Sequence, residues 1–187
     1  MVGLTGPNAS GKGEAARLLV ATGCTAWSLS DIVREAAAAA GLAPSRDHLI
    51  ATGVRLREEG GPGILAERIL PRLTGPSVVD SIRGPAEVAV LRRAPGFVLL
   101  SIDAPIALRF ERSRLRGRLG DGATLEEFSA KEARENAATE SGQQIRRTMA
   151  LADRTISNDG TLQDLDARLR EAIRALGRRL PDEPSGD

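Results

Sequence analysis

An α/β fold built on a largely parallel sheet is predicted by three features of the chain. Segments of strand character alternate with segments of helical period throughout. One strand segment, Phe97-Val98-Leu99-Leu100-Ser101-Ile102, is a continuous apolar run of the kind a parallel sheet buries on both faces. The first strand also passes through a glycine-rich turn directly into the first helix.

In order, Met1–Leu4 reads as the first strand and Gly11–Ala21 as the first helix. Thr25–Leu29 reads as a second strand, and Ser30 or Asp31 is expected to cap a helix over Ile32–Ala40, stopped by Gly41. Pro44 and Ser45 open a helix over Arg46–Glu59, which ends at Gly60-Gly61-Pro62-Gly63; Ile64–Leu70 follows and stops at Pro71. Ser77-Val78-Val79-Asp80 is a short buried strand ending in an acid, and Pro85–Arg93 is helical. After the apolar strand comes a helix over Pro105–Leu115, then a Gly- and Arg-rich connection, 116–123. Thr124-Leu125-Glu126-Glu127 is a capping box opening a charged helix, and Gln143–Leu151 is another helix. Asp153–Ser157 is the last strand, Asn158-Asp159-Gly160 turns the chain, and Thr161 caps a final amphipathic helix to Leu176. Residues 178–187 read as a polar, disordered tail.

The chain's 187 residues suit a single domain. A net charge of +1 gives no sign of a bulk electrostatic partner. Arginine outnumbers lysine 24 to 2, and arginine suits bidentate phosphate recognition. Cys24 is the only cysteine, which excludes an intrachain disulfide and a cysteine zinc cluster. His48 is the only histidine and reads as a helix-surface residue, without a nucleophile elbow to accompany it. No apolar run is long enough for a membrane span and no signal peptide is seen, so a cytoplasmic setting is expected. Four aromatic residues and no tyrosine argue against single-stranded nucleic acid as a partner.

The turn between first strand and first helix is Gly6-Pro7-Asn8-Ala9-Ser10-Gly11-Lys12-Gly13. Its glycines allow a tight bend that aims backbone N–H groups inward, and the following helix adds the positive end of its dipole. Lys12 supplies a mobile charge. This is a phosphate cradle, expected to hold a nucleoside triphosphate. Gly13 stands where Ser or Thr ordinarily reaches magnesium, and Glu14 follows it, placing a carboxylate near the phosphates.

Asp80, at a strand end, can hold magnesium through water. Arg34, early in a helix whose start faces the strand ends, can clamp a phosphate. Arg109, Arg112, Arg114, Arg116 and Arg118 cluster, and the first, second and fourth of these share a helix face.

The loop, together with Ser28–Glu35, Leu56–Glu59, Val79–Arg83, Asp103-Ala104-Pro105 with Arg109–Arg112, and Ser157–Leu162, resembles P-loop kinases of the nucleoside-monophosphate-kinase type, the adenylate-kinase-related and dephospho-CoA-kinase-like proteins. The resemblance spans Val2 to about Ile173. It implies a three-layer sandwich with a five-stranded parallel sheet of order 2-3-1-4-5, and one kinase domain over 1–177. It also implies a substrate-binding helical insertion over 32–73 and a mobile arginine-bearing lid over 109–142.

By the same resemblance Gly6, Asn8, Ala9, Ser10, Gly11, Lys12, Gly13 and Glu14 bind ATP, with Asn158 and Gly160 lining the donor base. Asp31, Arg34 and Arg83 bind the acceptor, Asp80 organises Mg2+, and Lys12, Asp80, Arg112 and Arg116 serve transfer. The expected activity is an ATP-dependent phosphotransferase acting on a small nucleotide-like acceptor, foremost a (deoxy)nucleoside monophosphate, by a monomer or homodimer. A hydroxyl acceptor (dephospho-CoA, or a hydroxymethylated pyrimidine in DNA, with Asp31 or Asp80 as base) and a nucleotide-binding regulator without turnover are the alternatives.

Overall fold

The computed structural model of the chain describes residues 1–117, 122–136 and 144–183. Five strands, β1 (Val2–Thr5), β2 (Thr25–Ser28), β3 (Ser77–Asp80), β4 (Val98–Asp103) and β5 (Arg154–Ser157), form one sheet of order β2-β3-β1-β4-β5. All four pairings are parallel, as the expected order requires. The register aligns the strand ends: Ser28 lies opposite Asp80, Thr5 opposite Ser101 and Asp103 opposite Ser157. The polar residues that close the strands therefore share one sheet edge, the edge where open α/β sheets place ligands.

Side chains alternate across the sheet and feed two cores. Leu4, Val78, Leu100, Ile102 and Ile156 pack with α1 (Lys12–Ala21) and α9 (Leu162–Ala175) through Ala15, Leu19, Leu165, Leu169 and Ile173. Val79, Ile82 and Leu99 turn the other way, onto α2 (Leu29–Ala39), α3 (Arg46–Gly60), α4 (Ile64–Ile69) and α5 (Pro85–Leu91). Two long connections leave the sheet edge, one carrying α2 to α4 between β2 and β3. The other carries α6 (Ile106–Leu115), α7 (Leu125–Asn136) and α8 (Ile145–Met149) between β4 and β5. Part of the expected lid, including Arg118 and residues 137–142, lies outside the described residues.

Two expectations are corrected. The second helix begins at Leu29, not Ile32, and neither Ser30 nor Asp31 caps it. Leu29 is 1% exposed and packs with Ile32 and Val33, so core burial recruits it into the helix that strand-like Trp27-Ser28-Leu29 conceals. The fourth helix stops just before Pro71 as expected, at Ile69, and Pro71 sits inside a 3₁₀ turn, Leu70–Arg72, where its missing N–H costs nothing. The described part of the expected polar tail is anchored: Leu180 is 4% exposed and joins the α1–α9 core, while residues 184–187 lie outside the described residues. Asp182 and Glu183 there pair with Arg170 and Arg174 of α9. His48 lies on the surface of α3, where its backbone N–H donates to the capping Ser45 hydroxyl.

Candidate active site

The loop between β1 and α1 has the backbone that its glycines permit. Gly6 and Gly11 take φ of 140° and 102°. A Cβ at Gly6 would lie 2.1 Å from the Ile102 carbonyl oxygen, and one at Gly11 would lie 1.9 Å from the Asn158 amide nitrogen. Neither position admits a side chain, and α1 starts at Lys12 with its leading N–H groups turned to the same space. Gly13 differs. A Cβ there meets nothing within 4 Å, so the absence of a hydroxyl after Lys12 is not a packing requirement. Glu14 forms an ion pair with Arg17 one turn further along α1.

Lys12 folds back on the loop, donating to the carbonyls of Gly6 at 2.8 Å and Pro7 at 2.7 Å. Burial lowers its pKa to about 8; Asp80 opposes that shift, while Arg83, Arg116 and Arg109 add to it. Four charged groups from two stretches of chain, Asp80 with Arg83 and Arg109 with Arg116, thus act electrostatically on the loop lysine.

Asp80 closes β3 beside it, and its Oδ1 is buried with no hydrogen-bond partner. An orphaned carboxylate oxygen is costly unless a cation or its water shell meets it. That oxygen can hold the water shell of Mg2+, and among the described residues no group of three or more His, Cys, Asp or Glu side chains gathers to ligate a metal directly. The next residue, Ser81, is a non-glycine at φ 66°, a strained conformation of the sort that gathers at functional sites. Its hydroxyl accepts from Ser28 at 3.1 Å, joining the ends of β2 and β3.

The flagged arginines divide by what they already hold. Arg34 pairs with Asp31 on the exposed face of α2, so these two acceptor candidates bind each other. Arg109 is 5% exposed and fully engaged: it donates to the Ala104 and Asn8 carbonyls at 2.9 and 3.3 Å and forms a two-pronged pair with Glu132 of α7. It braces the loop against α7, a task its spacing with Arg112 and Arg116 does not reveal. Arg114 pairs with Glu111. Among the described residues Arg83, Arg112 and Arg116 form no ion pair or side-chain hydrogen bond, and Nη1 of Arg112 is buried in that condition.

A cleft of about 390 Å³ opens beside the loop, and six expected residues line it: Gly11, Glu14, Arg112, Arg116, Asn158 and Gly160. The exposed side chains of Leu115 and Leu162 line it too. Asn158 does more than line it. It is 6% exposed, and its amide donates to the Ser10 carbonyl at 2.8 Å, tying β5 to the loop.

Glu87 was not singled out in the sequence. It is 1% exposed, and its carboxylate accepts from the backbone N–H groups of Arg83 and Gly84 and from Arg57 of α3. The Gly84-Pro85-Ala86-Glu87 pattern, a helix start with an acid three residues in, was its available signal. Among the described residues no helix is long and apolar enough to cross a membrane.

No protein-family model matches the chain. The fold is that of P-loop kinases. Over 94% of its length the chain superposes on 97% of a shikimate kinase from Bacteroides thetaiotaomicron, with a TM-score of 0.61 at 14% identity. Over 93% of its length it superposes on 95% of TT1252 from Thermus thermophilus, with a TM-score of 0.59 at 24% identity. In sequence it is 32% identical to the UPF0200/UPF0201 protein of Archaeoglobus fulgidus, covering 98% of this chain but only 58% of that longer relative. It is 35% identical to the UPF0200 protein of Methanoculleus marisnigri, covering 96% of this chain and 98% of the relative. With that identity running nearly end to end through both proteins, the chain belongs to the UPF0200 family.

Proposed function

We propose that the chain is an ATP-dependent phosphotransferase whose acceptor is a nucleotide or nucleotide-like molecule, foremost a (deoxy)nucleoside monophosphate. The observation that carries this reading is the unpartnered buried oxygen of Asp80, within electrostatic reach of Lys12, in a site whose loop admits no side chains at Gly6 and Gly11. A phosphate-binding turn serving only as a turn has no need of an orphaned carboxylate beside its lysine.

In this reading the loop N–H groups and the start of α1 hold the β- and γ-phosphates, and Lys12 exchanges its two carbonyl partners for phosphate oxygens. The donor base enters the cleft between Arg112, Leu115, Gly160 and Leu162. Asp80 would hold Mg2+, which when bound would supply charge neutralisation at the phosphates. Arg83, with its guanidinium unpaired, takes the acceptor's phosphate, and Arg34 joins it by leaving Asp31. Arg112 and Arg116 close on the transferred group and spread its charge. An ionised phosphate acceptor needs no general base, so positioning and electrostatics are the whole task.

The test is ADP release from ATP and magnesium across ribo- and deoxynucleoside monophosphates, dephospho-CoA, and DNA with or without hydroxymethylated pyrimidines, with Lys12→Ala as control. Lys12-dependent release with a monophosphate is expected. Release with only dephospho-CoA or DNA moves the chemistry to a hydroxyl, with Asp31 or Asp80 as base. Binding of ATP without release for any of these acceptors overturns the monophosphate reading and favours a regulator or an acceptor outside the panel.

A further inference from the structure

The segment after β3 is held more firmly than a connection requires. Ile82 is 1% exposed, and its carbonyl accepts from the Thr5 hydroxyl at 2.9 Å. The N–H of Arg83 donates to Glu87 Oε2 at 2.8 Å, and that of Gly84 to the same oxygen at 3.1 Å. The Arg83 carbonyl accepts from the N–H of Gln144, at the start of α8, at 2.8 Å. Both backbone groups of Arg83 are therefore pinned, while its guanidinium has no partner among the described residues. A fixed backbone beneath an unpaired, half-buried cation beside the loop lysine is the form of an anion ligand awaiting its anion.

Glu87 is also more than a helix cap. A glutamine at this place could still accept the two N–H groups, though less strongly than a carboxylate does. A carboxylate buried to 1% exposure carries a desolvation cost that capping alone does not justify. Its second oxygen accepts from Arg57 Nη2 at 3.2 Å, and Arg57, itself mostly buried, is steadied by the Gly53 carbonyl at 3.2 Å. Charge is needed for that link, and the link joins the Arg83 segment to α3, in the insertion between β2 and β3.

We propose that Glu87 is a positioning residue that aims Arg83 at an anionic group of the acceptor, and that Arg57 couples that aim to α3. The proposal rests on the acceptor role given to Arg83 above. An acceptor that shifts α3 would move Arg57, and through Glu87 the two N–H bonds that set Arg83. The donor side, built on α1 and α9, shares none of these contacts.

The experiment uses the full chain with the loop filled by magnesium and a non-hydrolysable ATP analogue. Inorganic phosphate is then titrated by calorimetry as the probe of the second anion site. Wild type, Arg83→Ala, Glu87→Gln and Arg57→Ala are compared, with hydrogen exchange read at the Arg83 and Gly84 amides. In Glu87→Gln the expected result is phosphate bound about tenfold more weakly, with analogue affinity within about twofold of wild type and faster exchange at both amides. Arg57→Ala leaves both amide bonds to Glu87 in place and is expected to show the same split more mildly. It carries the test should Glu87→Gln fail to fold.

Equal phosphate affinity in wild type and both link variants overturns the proposal. So does a parallel loss of phosphate and analogue binding, which marks a merely structural role, or a wild type that binds phosphate no better than Arg83→Ala. ADP release plays no part in these readouts. A chain that turns over no acceptor yet shows the split loses the transferase reading and keeps the positioning role.

Discussion

The side-chain amide of Asn158 donates to the carbonyl of Ser10 across 2.8 Å, spanning 148 residues of sequence, and occupies the space a Cβ at Gly11 would need. The far end of the sheet thus holds the phosphate loop in shape. Asn158→Ala should leave the chain folded, cost about 1–2 kcal/mol in denaturant unfolding and weaken ATP binding. Gly11→Ala should abolish ATP binding, because the clash at 1.9 Å adds to a φ of 102° that alanine rarely adopts. Adding Asn158→Ala should not restore binding, since the backbone strain remains. Nucleotide titration of the three variants decides it.

Lys12 should be a source of instability in the nucleotide-free chain. Its pKa is about 8 when folded against 10.5 for an ordinary lysine, chiefly because burial disfavours the charge. Below pH 8 both folded and unfolded chains carry the proton, and the folded chain bears the full penalty. Between 8 and 10.5 the unfolded chain binds more protons, so stability rises with pH. Lys12→Met should accordingly be more stable than wild type at pH 7, by about 1–3 kcal/mol, while losing ATP binding. Melting temperatures recorded at pH 7 and near pH 10 check the sign: the variant's advantage should shrink at the higher pH.

Open space at Gly13 makes the missing hydroxyl replaceable. Gly13→Thr should fold as wild type and lower the magnesium concentration needed for half-maximal ATP binding, since a second oxygen joins Asp80 near the phosphates. Asp80→Asn should raise that concentration. A magnesium titration at fixed ATP reads both.

Leu180 should behave as a core residue. Leu180→Ala is expected to cost about 2–4 kcal/mol, with the loss visible in thermal or denaturant unfolding.

Local chemistry was legible where neighbours in sequence are also neighbours in function. The glycine spacing around Lys12 announced the loop, and Val78-Val79-Asp80 announced an acid at a strand end. The alternation of strands and helices was legible because its period is local. Arg109 was legible only as one of a cluster. Its partner Glu132 lies on a separate helix, and no spacing rule joins them. Glu87 stayed hidden because an acid at the third position of a helix is ordinarily an exposed cap, and only packing against α3 makes it buried. Leu180 follows two arginines and precedes acids. Its burial depends on a groove that α1 and α9 create together.

The two cores on opposite faces of the sheet divide the molecule's capacity for change. The face packed by α1 and α9 backs the phosphate loop and the cleft, whereas the face packed by α2 to α5 backs Arg34, Arg57 and Arg83. Substitutions among Val33, Leu56 or Leu65 can therefore reshape what is recognised on one side, leaving the grip on phosphate inherited intact. A scaffold partitioned in this way lets one face of the sheet change while the loop on the other keeps its shape.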